Sequence, residues 1–164
     1  MTFPKDKEDY QAGMPASDFL QSKSKEQSLL DLCLASVQTV DPSRLRAAAA
    51  TASPLRPQML LTLLTYAYTS GHYDSRDIIA ATSTDPTLRY ICAGTRPLWT
   101  DLRRFRRHNR EVVAQCLSWV LTRVATLKPA ESEECFRAGE LSEVSGEVSM
   151  RLQAAALMDG VDSE

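Results

Sequence analysis

Histidine occurs only twice in this chain of 164 residues, and neither His72 nor His108 lies near a cysteine or serine in a nucleophile pattern. The four cysteines, Cys33, Cys92, Cys116 and Cys135, form no CxxC or CxxH pair. Neither a zinc ribbon nor a disulfide framework is indicated, and reduced thiols are expected. No phosphate loop or dinucleotide fingerprint is present, which removes the commonest nucleotide-dependent chemistries. Long apolar runs are missing too: MLLTLLTYAY is interrupted by threonine and is too short for a bilayer. The opening MTFPKDKEDYQAG places acids where a secretion signal needs an apolar region. These absences point to a cytoplasmic protein with no membrane contact, no cofactor, no metal and no catalytic residue. Sustained period-two alternation is also absent, so no sheet is expected.

What the chain does have is an uneven charge distribution. Its 43% hydrophobic and 24% charged residues suit one globular domain. The net charge of −2 conceals a basic centre and an acidic end. Residues 71–110 hold eight arginines against four aspartates, whereas residues 129–164 hold two arginines against nine acids. The extreme is TDLRRFRRHNREVV, with five arginines and a histidine between Asp101 and Arg110.

Organisation follows from caps and breakers. Residues 1–24 mix charge, Pro, Gly and Ser without periodicity and read as a mobile arm. Ser24 and Gln27 form a capping-box pattern before a first amphipathic helix bearing Leu29, Leu30, Leu32, Leu34, Val37 and Val40. Asp41-Pro42 predicts a short alanine-rich helix to about Ala50. Pro57 starts a helix apolar on nearly every side until Gly71, the expected centre of the core. Asp74 or Ser75 caps a short helix, and Asp85-Pro86 opens another that Gly94 closes. Thr100 then caps a long basic helix over about 101–126, ended by Lys128-Pro129. A last helix near 141–158 carries Leu141, Val144, Val148, Leu152, Ala155 and Leu157. The expected fold is all-α: a compact bundle of five to six helices over 25–128, with an acidic tail from 129 to 164.

At 100° per residue, Arg103, Arg106, Arg107 and Arg110 fall within an arc of about 100°. Leu102 and Phe105 take a different side of that helix. Planar guanidinium groups suit phosphate oxygens and guanine edges, so this face is read as a site for a polyanion. The turn before Ser75 and Arg76 offers a hydroxyl and a further guanidinium to phosphate. Candidate DNA-binding residues are therefore Ser75, Arg76, Arg103, Arg104, Arg106, Arg107, His108 and Arg110. Two polyanions compete for them: duplex DNA, or the chain's own acidic tail, through residues 131–147, folding over the arginines.

Some 58 residues, from Arg56 to Val113, resemble the N-terminal domain of DDE-type insertion-sequence transposases. The similar features are the Pro57 to Tyr68 helix, Gly71, Ser75-Arg76, Asp85 with Arg89-Tyr90, Gly94 with Pro97, Thr100, and Arg104-Phe105-Arg106-Arg107-His108. Ala67 stands where that family commonly has glycine, and Leu98-Trp99 where it has aspartate. The resemblance implies a helical DNA-binding module acting in transposition and recombination, with duplex element ends as partner. The catalytic core that follows in the family needs carboxylates presented by a folded sheet, and no strand pattern follows Pro129. Glu131, Glu133, Glu134, Glu140, Glu143 and Glu147 are read as a solvated or partner-facing run, so no strand-transfer activity is expected. The alternative expectation is a regulatory module that self-associates or pairs with full-length transposase, its tail masking the basic helix.

Overall fold

The computed structural model describes residues 29–46, 54–127 and 139–161. Among them every regular element is helical. Helix α1 covers residues 29–38 and turns Leu30, Cys33 and Val37 inward, with Val40 following in the next turn. The Asp41 carboxylate then accepts from Ser43 N at 2.9 Å and opens a three-residue 3-10 turn, Pro42–Arg44. The longer alanine-rich helix expected here does not continue through Leu45, which is extended and buried. Residues 47–53 lie outside the described residues, as do the arm, the Ser24–Gln27 cap and Glu131, Glu133 and Glu134.

Helix α2, Pro57–Thr69, has proline at its first position and is buried without interruption from Leu60 to Tyr68. Its threonines are satisfied within the helix: Thr62 donates to Gln58 O at 2.9 Å and Thr65 to Leu61 O at 2.8 Å. An all-round apolar helix needs neighbours on every side, and α4, α5 and α6 supply them. Gly71 adopts φ +90, a left-handed conformation that returns His72 N to Ala67 O at 2.8 Å and closes α2. Asp74 caps α3, Ser75–Ala81, accepting from Arg76 N at 2.6 Å and Asp77 N at 3.2 Å. Asp85 caps α4, Pro86–Ile91, in the same way. Tyr90 on α4 is 71% exposed.

The single long basic helix expected over 101–126 is two helices. Helix α5, Trp99–His108, and helix α6, Arg110–Leu127, meet at Asn109, where φ is −120 and ψ 25. The asparagine amide competes with the helix ladder by donating to Phe105 O at 3.0 Å. Thr100, expected as the cap, lies inside the first turn of α5, whose N-cap is Leu98.

Helix α7, Gly139–Val161, packs against α6. Val148, Leu152 and Ala155 join the core cluster formed by α1 to α6, so the tail's helix shares the domain's interior. Leu157, expected to face inward, is 64% exposed, because the buried stripe runs through 148, 152, 155 and 159. The Arg151 guanidinium donates to Tyr68 O at 2.7 Å and Thr69 O at 3.2 Å, placing a cation at the C-terminal end of α2. Gly146 is exposed, with open space around its Cα. Gly146→Ala should therefore stabilise the protein by about 0.5–1 kcal/mol, seen as a rise in urea midpoint at unchanged m value.

The described cysteines Cys33, Cys92 and Cys116 are buried free thiols. Burial pushes Cys33 up to about 12, with Cys116 nearby adding to the effect, and Cys92 and Cys116 up to about 11. They are packing residues rather than nucleophiles, since the thiolate is the reactive form. Cys135 lies outside the described residues. No helix among the described residues is long and apolar enough to cross a membrane.

Candidate nucleic-acid interface

The eight candidate residues divide among three environments. Ser75 is 1% exposed and Arg106 6% exposed. Arg76 is exposed at the start of α3, with its guanidinium over the Trp99 ring at 4.7 Å from the centroid, a cation–π contact. Arg103 is half-buried, whereas Arg104, Arg107, His108 and Arg110 are exposed. The arc drawn across a continuous helix breaks at Asn109, so Arg110 belongs to α6 and the other arginines to α5.

The interior group is closed by the tail. Asp159 Oδ2 accepts from Arg106 Nη2 at 2.7 Å and from Ser75 Oγ at 2.9 Å, while Oδ1 accepts from Ser75 N at 3.1 Å. Arg106 and Ser75 are thus not available at the surface as expected. The reason is periodic: Leu102, Phe105, Arg106 and Asn109 share the buried side of α5 and its junction, so Arg106 can only enter the core with a counterion. Among the described contacts, the tail meets the basic helix through Asp159, at Arg106. Tyr68 completes the group. Burial raises its phenol to about 12, and the neighbouring Arg106 offsets part of the rise. Among the described residues neither the Tyr68 hydroxyl nor Arg106 Nη1 makes a well-formed hydrogen bond, although the Arg106 guanidinium lies close enough to the phenol to hold it down.

The exposed group forms a groove. Arg107, His108 and Arg110 line a cavity of about 540 Å³ together with Arg44, Arg46 and Glu111. Asn109 builds it. Its Oδ1 accepts from Arg46 N at 2.8 Å, and its Nδ2 donates to Arg46 O at 3.0 Å. This two-point clamp fastens the chain after the 3-10 turn onto the α5–α6 junction, setting Arg44 and Arg46 beside the arginines of the junction. Arg44 Nη1 also reaches Gln115 Oε1 at 3.4 Å. His108 Nδ1 lies 2.8 Å from Arg104 O. A carbonyl can only accept, so Nδ1 carries the hydrogen and Nε2 is left for solvent or a ligand.

Four arginines and a histidine face a single glutamate in this groove. Like charges gathered with so few counterions among the described residues focus a positive potential and draw anions. Arg44 and Arg46 carry no local mark of this role in DPSRLRAAAA. The one available signal is Asn109, a residue that favours helix interruptions, inside a helical pattern.

Asn109 is 2% exposed and makes three side-chain hydrogen bonds, to Arg46 N, Arg46 O and Phe105 O. Asn109→Ala should cost about 2–3 kcal/mol, roughly one per bond. It should also free residues 44–46 from the junction, so that urea denaturation and anion affinity change together. Loss of stability below roughly 0.5 kcal/mol, the scatter of surface substitutions, would sink the clamp.

No protein-family model, curated protein or solved structure matches the chain.

Proposed function

We propose that this chain is a transposase-like DNA-binding module, acting in transposition without strand-transfer catalysis of its own. The observation that carries the reading is the groove at the α5–α6 junction, where Arg44, Arg46, Arg107, His108 and Arg110 converge from two chain segments on an open surface. Two features make phosphate the fitting ligand. Guanidinium forks match phosphate oxygens in pairs, and a duplex presents charges in a row that one small anion cannot match. The resemblance of residues 56–113 to transposase N-terminal domains supplies the biological setting and makes element ends the duplex of interest.

The reading is tested by fluorescence anisotropy with a duplex oligonucleotide across a salt series. With four arginines on phosphates, log affinity should fall against log salt with a slope of roughly −4. Arg107→Ala and Arg110→Ala should each weaken binding and flatten the slope by about 1, while Arg123→Ala, exposed on α6 outside the groove and stacked on Trp119, should leave it unchanged. Absence of duplex binding at about 50 mM salt, or binding indifferent to the groove arginines, removes the proposal.

A further inference from the structure

The interior group holds more donors than its carboxylate can use. Ser75 N, Ser75 Oγ and Arg106 Nη2 reach the oxygens of Asp159, while Arg106 Nη1 and the Tyr68 hydroxyl, buried next to one another, make no well-formed hydrogen bond to an acceptor among the described residues. A buried donor without an acceptor is costly, and a planar two-oxygen carboxylate cannot serve a further pair. A tetrahedral oxyanion can. A phosphodiester brings the same single negative charge as Asp159 and additional oxygens, and a monoester brings three acceptor oxygens.

The carboxylate is also held on a releasable element. Asp159 sits in the last turn of α7, where Ala156, Leu157, Met158 and Gly160 are all exposed. The last residue of the apolar stripe is Ala155. Unwinding this turn withdraws Asp159 without taking Val148, Leu152 or Ala155 out of the core. Helix ends fray readily, and Gly160 lowers the helical preference of this one further.

We infer that Ser75, Arg106 and Tyr68 form a phosphoryl-oxyanion site that the chain's own Asp159 fills in cis. The last turn of α7 is a resident competitor, and a phosphoryl group enters as it unwinds. This site is separate from the groove and stands whether or not the groove binds DNA.

The test is anion rescue. In Asp159→Ala, inorganic phosphate at about ten times its Kd should raise the melting temperature by roughly 4 °C over chloride at equal ionic strength. Acetate should raise it less, because it reproduces only the carboxylate. The wild type should show no such rise, and adding Arg106→Met to Asp159→Ala should abolish it. Equal effects of phosphate on wild type and variant, or rescue by acetate as complete as by phosphate, would overturn the assignment. A short duplex tested in place of phosphate separates the sources. Rescue by duplex in excess of its effect on wild type identifies a nucleic-acid backbone, and rescue by phosphate alone identifies a small phosphoryl ligand. Should Asp159→Ala not fold, hydrogen exchange on the wild type decides. Saturating phosphate should speed exchange of the amides at 156–161 by about tenfold relative to chloride, since it binds the unwound turn. Unchanged or slowed exchange there refutes the site.

Discussion

Arg106→Met is expected to destabilise the protein by about 3–5 kcal/mol, because it strands Asp159 as a buried charge with no counterion. Arg106 and Asp159 have side chains only 7% and 4% exposed, so little water reaches either partner. Ser75 would still donate to both carboxylate oxygens, which keeps the loss nearer the lower bound. Asp159→Leu removes the opposite partner and should fall in the same range. Arg104→Met is the matched control: Arg104 is exposed, and its change should stay within about 0.5 kcal/mol. The double variant Arg106→Met with Asp159→Leu should recover much of the loss, since exchanging a whole buried pair for apolar groups is often neutral. Urea denaturation of the four proteins closes a double-mutant cycle. A loss under about 1 kcal/mol in both single variants would show the pair to be solvated.

The second large effect is alkaline. Cys33 is pushed up from 9.0 to about 12, Cys92 and Cys116 to about 11, and Tyr68 from 10.0 to about 12, in each case chiefly by burial. Above pH 9 the unfolded chain releases these protons while the folded chain retains them. The folded state then binds more protons than the unfolded state, and stability falls as pH rises. Each group contributes a slope of about 1.4 kcal/mol per pH unit inside its window. The three thiols together approach a loss on the order of 4 kcal/mol per unit between pH 9 and 11, and Tyr68 adds to it above pH 10. Urea midpoints from pH 8 to 11 should therefore drop steeply from about pH 9, and Cys33→Ala should shed one group's share of the slope. A flat profile to pH 10.5 would mean that the thiols ionise in place.

The caps and the central helix were legible because their causes are local. Asp41, Asp74 and Asp85 each accept from backbone amides two or three residues on, and Pro57 starts α2. A run apolar but for its threonines, buried from Leu60 to Tyr68, leaves α2 no exposed side to choose. The candidate site was legible only in part. Arg107, His108 and Arg110 belong to an exposed basic surface, but Arg106 turns inward to a carboxylate on another helix, and nothing in TDLRRFRRHNREVV encodes that partner. Arg44 and Arg46 join the groove through an asparagine whose bonds cross a separation of 63 residues. What was missed is what depends on long-range pairing. The signs that did exist were small: Arg106 falls four residues after Leu102, on the apolar side, and Asp159 continues the stripe of Val148, Leu152 and Ala155.

The contacts of α7 also set an order of events during synthesis. Domains form from the N-terminal end as the chain emerges, yet Ser75 meets Asp159 across 84 residues and Tyr68 O meets Arg151 across 83. Until α7 leaves the ribosome, α2 lacks the Arg151 cation at its C-terminal carbonyls and Arg106 lacks the Asp159 carboxylate. The nascent bundle thus holds an uncompensated guanidinium at its centre, and the last turn of α7 completes it.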